Sequence, residues 1–407
     1  MKILFALAWR NLWRNRKRTL ITISSVLFAV LLAIVFISFE QGSYERMIDS
    51  MVKLNTGYIQ IQDILFEEEP SIDNTLLYDD QLEGVISKFI DQVDFVVPRI
   101  QNFALVATDK QTRGSMIIGI DPGKEVKLNN LADKMADGNF LQPADEEILL
   151  AKGLAEILAI KTGDTLILLS QGFQGATAAG KFVVKGIVDL KIPELNNNTV
   201  YMSLEAAQWF YVAENRLTSL IVMPKDPKNT RRLAAGLSKN IDHEWQKVLT
   251  WEQLLADLLQ LMKFDQAGTK MMTFILYIVI AFGLFGTVLT MMIERQREFG
   301  MLISIGLKRH QLATICFLET LMISFTGVLA GMIIAIPVVV WFYIHPIQLT
   351  GDMARTILEY GFEPIMPFST DPWVFVSQAK IVLIISLVIG LYPIYKILKL
   401  NIMEVRQ

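Results

Sequence analysis

The sequence predicts an α-helical membrane protein with four transmembrane helices in a one-plus-three layout and a large α+β extracytoplasmic domain between the first and second spans. Three observations carry this. Four apolar runs, at residues 20–39, 271–293, about 313–344 and about 381–395, reach or approach the ~20 residues a helix needs to cross ~30 Å of hydrocarbon. One long polar stretch separates the first run from the other three. Hydrophobic residues make up 52% of the chain and charged ones 19%, even with that polar stretch included.

Residues 1–18 read as a cytoplasmic amphipathic helix. Phe5, Ala8, Trp9, Leu12 and Trp13 share one face, while Arg10, Asn11, Arg14, Lys17 and Arg18 share the other; only Arg16 interrupts the apolar side. This pattern suits a helix lying at the inner membrane interface against membrane lipids, and the alternative is a basic flank that only sets topology. Residues 19–40 are the first span. It reads as a retained anchor, because Ile37, Ser38, Phe39 and Glu40 offer no small-residue cleavage site.

Residues 41–268 alternate strand-like and helix-like segments. Strands are expected at 58–61, 103–107, 116–120, 147–150, 165–169, 182–188, 200–202 and 219–223. Helices are expected at 81–90, 152–160, 204–212, 227–240 and 251–264, the last running into the second span. A domain tied to a span at both ends must tilt when one span moves against the other. Gly175, Gly180 and Lys181 have the spacing of a P-loop, but Phe182 stands where a magnesium-binding hydroxyl is needed and 182–188 reads as a strand, so no nucleotide site is expected.

The second span is assigned to 271–293, the third to 311–344 and the fourth to 374–397, with an outer loop at 345–373 and a tail at 398–407. Arg10, Arg14, Arg16, Lys17 and Arg18 flank the first span; Arg295, Arg297, Lys308 and Arg309 lie between the second and third; Lys396, Lys399 and Arg406 follow the fourth. These segments face the cytoplasm by the positive-inside rule, so both termini do, and the loop bearing Asp352, Glu359, Glu363 and Asp371 lies across the membrane. In the third span, Glu319 is costly within hydrocarbon and is expected to snorkel toward Arg309 or His310 or to pair within the bundle, the alternative being a substrate or proton role. Gly327 and Gly331 are spaced for close helix packing.

Several functions are disfavoured. A net charge of −3 argues against nucleic acid as a partner. The single cysteine, Cys316, permits no intramolecular disulfide, so the outer domain must be held by its own core. His243, His310 and His345 fall in separate segments, so neither a metal site nor a histidine-based triad is expected, and the chain is not expected to be an enzyme.

The most specific local signal is the inner segment 294–310. Phe299, Leu302 and Ile303 share a helical face, Glu294 and Glu298 lie one turn apart, and Gly300 and Gly306 allow close approach or a break. A short amphipathic helix of this kind can enter a groove on a soluble partner. With the basic start at 9–20, Glu319 followed by Gly327 and Gly331, Tyr392 and Pro393, and outer stretches at 118–122, 138–140, 152–158 and 163–166, it resembles the FtsX-like permeases. These are the membrane subunits of ABC transporters that include the lipoprotein-releasing and MacB-type machines, and the resemblance covers essentially the whole chain.

That resemblance implies a MacB-like periplasmic core domain, a dimer with a second permease copy or a paralogue, and a separate cytoplasmic ABC ATPase that holds ATP and magnesium. No cofactor is expected in this chain. It implies an ATPase-coupling helix built from Glu294, Arg295, Arg297, Glu298, Phe299, Gly300, Leu302 and Gly306. Mechanotransmission would then serve lipoprotein release from the bacterial inner membrane toward the outer membrane, with a periplasmic carrier as a further partner. The alternatives are a mechanical regulator of a cell-wall hydrolase, or MacB-type export of peptides or drugs. A cavity for the lipidated substrate would be lined by Phe28, Leu32, Phe36, Phe274 and Tyr277. Asn401, Ile402, Met403, Glu404, Val405 and Arg406 depart from the family's usual proline-containing tail.

Overall fold

The computed structural model describes residues 2–14, 16–190, 192–359 and 364–399. Glu363 and the tail from Asn401 to Arg406 lie outside the described residues. Two compact units emerge: one comprises Met1–Arg46, Leu261–Gln348 and Ile365–Gln407, and the other Met47–Gln260 with Leu349–Pro364.

The first unit is helical. Its elements are α1 (Lys2–Arg14), α2 (Arg16–Met51), α3 (Ala256–Glu294), α4 (Gln296–Ser304), α5 (Arg309–Ile344) and α6 (Pro372–Leu398). Four of these, α2, α3, α5 and α6, are long and apolar enough to cross a membrane. Val26, Val30 and Ile34 of α2 form one buried cluster with Leu284 and Val288 of α3, Val328 of α5 and Val382 of α6. A Cβ on Gly327 would stand 3.0 Å from the Ile23 carbonyl oxygen, and one on Gly331 would stand 2.9 Å from that of Leu27. The two glycines therefore let α5 meet the backbone of α2, the close approach that small residues one turn apart permit.

The apolar run in the first span ends at Phe39, yet α2 continues to Met51. Its polar continuation is held by the segment leading into α6. Ser38 Oγ donates to the Ser369 carbonyl at 2.6 Å, the Ser369 amide donates back to Ser38 at 2.8 Å, and Gln41 Nε2 donates to Asp371 at 3.1 Å. Asp371 also caps α6 by accepting from the Trp373 amide, with Pro372 at the first helical position. Residues expected to form only a loop at 345–373 instead include a short ladder between Ile347–Gln348 and Ile365–Met366 and a helix, Asp352–Glu359.

The second unit is built on a ten-stranded mixed sheet. Its strands are β1 (Ile59–Asp63), β2 (Val93–Ala107), β3 (Thr112–Ile120), β4 (Met135–Gly138), β5 (Ile148–Ala151), β6 (Thr165–Gln171), β7 (Thr177–Val188), β8 (Thr199–Ser203), β9 (Ser219–Pro224) and β10 (Gln246–Thr250). Their order is β10-β1-β9-β2-β3-β8-β5-β7-β4, with β6 pairing β2 and β7. Most neighbours are antiparallel, while β3 with β8 and β5 with β7 are parallel. Ile100, Ile117, Ile148, Leu168, Val184 and Met202 share one core beneath the sheet. Phe182 is buried in that core from strand β7, so the segment with P-loop spacing is extended where a nucleotide loop would need a helix.

Strand β1 pairs with β10 in the register Ile59 to Thr250, and the Trp251 amide donates to the Tyr58 carbonyl at 2.9 Å. The chain thus enters and leaves this unit on adjacent strands. Just before β1, the Asn55 carbonyl accepts from Arg99 Nη1 at 2.7 Å. Arg99 forms a bidentate pair with Glu125 of the helix Pro122–Asn129, and Asn129 Nδ2 donates to Glu125 Oε1 at 2.6 Å. Burial pulls the Arg99 pKa down, and the Glu125 carboxylate more than offsets it, holding the guanidinium above its ordinary value.

Candidate functional site

The connection between α3 and α5 is a helix with a sorted surface. At Arg295 the backbone leaves helical geometry, with φ −95° and ψ 5°, and α4 begins at the next residue. Gly306 ends the turn with φ +111°, a left-handed conformation that glycine adopts without a Cβ clash, and the Leu307 amide closes onto the Leu302 carbonyl at 3.1 Å. Phe299 is buried with Met292, Leu312, Ala313, Cys316 and Ile397, and Ile303 and Leu307 pack against the same cluster. Gly300 is buried beside them. Met301, Leu302 and Ile305 are exposed by 63%, 40% and 79%, on a helix whose Arg297 and Glu298 are also exposed.

Arg295 turns inward. Its Nη1 donates to Glu319 Oε2 of α5 at 2.8 Å and its Nη2 donates to the Asn11 carbonyl of α1 at 3.3 Å. Glu319 is 1% exposed, and its other oxygen accepts from Asn11 Nδ2 at 2.8 Å. A cavity of about 40 Å³ adjoins this triangle, lined by Leu12, Thr19, Thr287, Arg295, Glu319 and Ser324 among others. Nearer the surface, Arg14 of α1 forms an ion pair with Glu298 of α4.

The residues expected to couple to a partner therefore divide. Arg297, Glu298, Leu302, Gly306 and Glu294 lie at the surface, whereas Arg295, Phe299 and Gly300 are turned into the chain. In this arrangement the Arg295 guanidinium is held inward by Glu319 and the Phe299 ring is buried, so both anchor the segment to the chain. Glu319 pairs within the bundle; Arg309 instead donates to the Leu398 carbonyl at 3.3 Å. In the sequence Asn11 stands out only as part of a polar helix face. Its role follows from a helix contact that no spacing rule connects to a residue so distant in the chain.

Of the residues expected to line a substrate cavity, Phe28, Leu32 and Phe274 are exposed by 60%, 58% and 62%. Phe36 is half-buried, and Tyr277 turns toward α6, its hydroxyl donating to Gln378. Among the described residues, no group of three or more His, Cys, Asp or Glu is arranged to hold a metal ion.

The family model described as FtsX-like permease C-terminal matches residues 270–402, and that described as MacB-like periplasmic core domain matches residues 19–239. The chain belongs to the FtsX-like permeases. This permease is 24% identical over 331 residues to the lipoprotein-releasing system transmembrane protein LolC of Neisseria meningitidis serogroup B, across 77% of this chain and 75% of that protein. It is 21% identical over 340 residues to an uncharacterized ABC transporter permease of Methanocaldococcus jannaschii, across 81% and 82% of the two chains. The crystal structure of the periplasmic region of MacB from Actinobacillus actinomycetemcomitans matches with 14% identity and a TM-score of 0.36, over 51% of this chain and 95% of that one.

The permease is a multi-pass membrane protein of the ABC-transporter class. Permeases of this family are generally not catalytic themselves, and they work with an ATPase and as dimers.

Proposed function

We propose that this chain is the permease subunit of a mechanotransmitting ABC complex that releases lipoproteins from the inner membrane toward the outer membrane. The observation that carries the coupling half of this reading is α4: one face is anchored by Phe299 and Arg295, and the other presents Met301, Leu302 and Ile305 beside Arg297. An exposed apolar strip on a fixed helix suits insertion into a groove of a soluble partner. In this reading the partner is a cytoplasmic ABC ATPase, which supplies ATP and magnesium chemistry, and both termini of the permease face the cytoplasm. The lipoprotein half rests on the similarity to the lipoprotein-releasing protein over 77% of this chain.

A second copy or a paralogue completes the membrane assembly. The exposed apolar side chains Phe28 and Leu32 of α2 and Phe274 of α3 are the surfaces on which it would enclose acyl chains. A periplasmic carrier would receive the product. The test is twofold. Leu302→Glu with Arg297→Glu is expected to abolish co-purification of the ATPase while leaving the permease at normal abundance in the membrane. Depletion of the permease is expected to retain radiolabelled lipoproteins in the inner membrane; normal sorting, with a co-purifying cell-wall hydrolase or outer-membrane channel, would replace lipoprotein release by regulation or export.

A further inference from the structure

We infer that Glu319 closes a three-way lock that makes the amphipathic helix α1 and the loop helix α4 move as one body. The inference rests on the coupling reading above and extends it: the stroke received by α4 is passed to α1, and not only into α5. Asn11 of α1, Glu319 of α5 and Arg295 at the bend where α4 begins each contact the other two. Asn11 Nδ2 and Arg295 Nη1 take separate oxygens of the carboxylate at 2.8 Å each, and Arg295 Nη2 closes the triangle on the Asn11 carbonyl at 3.3 Å. The Arg14 to Glu298 ion pair joins the same two helices a second time at the surface.

Stability alone gives no reason for this cluster. A buried ion pair can often be replaced by apolar side chains of similar volume at no loss, and its best-attested use is to fix register. Apolar packing of α1 leaves a gap beside the carboxylate. Ala8 and Leu12 are buried, but the cavity of about 40 Å³ beside Leu12 and Glu319 leaves the contact between α1, α3 and α5 incompletely filled. The hydrogen-bonded triangle supplies the distance that packing leaves open. Adjoining Ala8 and Leu12 on the helix surface, α1 exposes Trp9 and Trp13 by 47% and 45%, side chains suited to headgroup depth. A displacement of α4 would then drag this tryptophan-bearing helix along the interface.

The lock is tested in the full permease with its ATPase, in a Cys316→Ala background so that only introduced thiols react. Arg14→Cys with Glu298→Cys removes the surface pair and reports the α1 to α4 distance through disulfide yield. The expected yield is the same, within about twofold, without nucleotide and with magnesium and a non-hydrolysable ATP analogue. Adding Glu319→Gln, or separately Asn11→Leu, is expected to lower it at least about fivefold in one of the two states. A yield in the parent that differs about fivefold or more between nucleotide states, or one indifferent to both added variants, overturns the lock. Two variants guard against misfolding of either. Failure of the ATPase to co-purify would reject the coupling reading, while the yields with and without Glu319→Gln, compared in each nucleotide state, would still decide whether the lock exists.

Discussion

At the scale of single residues, the two buried ion pairs separate what burial costs from what pairing returns. Arg99 is 3% exposed, Glu125 is fully buried, and the pair is completed by Asn55 and Asn129. Removing one partner leaves an uncompensated buried charge. Glu125→Ala is expected to destabilise the protein by about 3–5 kcal/mol, read as a lowered midpoint of unfolding in detergent, whereas Arg99→Met with Glu125→Leu should cost much less. Equal losses in the single and double variants would mean that the site depends on shape and not on charge. The sequence marked Glu319 as a residue in need of a partner, because an ionised carboxylate in an apolar run is costly. It did not mark Arg295, which lies beyond the end of α3 and counts equally well as a cytoplasmic topology signal; only the bend between α3 and α4 turns it back to α5.

At the scale of elements, the contact of α2 with α5 depends on two positions and tolerates change elsewhere. Gly331→Val would drive a branched side chain into Leu27 and Val30, whose nearest atoms already lie 2.9 Å from an ideal Cβ. Overpacking of this kind is expected to cost about 1–3 kcal/mol, measured as a lowered thermal midpoint in detergent. Gly286→Ala in α3 is the control, since a Cβ there meets nothing within 4 Å, and it should leave the midpoint unchanged or slightly raised. Elements with a clean apolar pattern were legible in the sequence: β6 and β7 alternate buried and exposed residues, and the helix Leu204–Phe210 begins at a Ser203 cap. The unread elements had other causes. The first half of β2 contains Pro98, Arg99, Gln101 and Asn102, and its extension is imposed by pairing with β9 and β3. The helix Pro122–Asn129 has few apolar residues and is set by Asp121, which accepts from the Gly123 and Lys124 amides at 3.1 Å, and by Glu125 meeting Arg99. The polar end of α2 begins where Ser38 and Gln41 bond the segment before α6, a tertiary contact that hydropathy does not record.

At the scale of the whole molecule, the one-plus-three layout gives the sheet-bearing unit two covalent handles, α2 and α3, and these arrive on neighbouring strands β1 and β10. Paired strands share a ladder of backbone hydrogen bonds, so in the coupling reading proposed above a relative shift of the two handles would load that ladder. Such a device transmits work only if α4 and the sheet-bearing unit face opposite sides of the membrane. A membrane-impermeant maleimide applied to spheroplasts, again in the Cys316→Ala background, is expected to label Asp109→Cys in the turn between β2 and β3. It should reach Arg297→Cys and Lys308→Cys only after the membrane is permeabilised. Labelling in the reverse order would put α4 on the side without ATP, and neither the coupling to an ATPase nor the lock behind it could then operate.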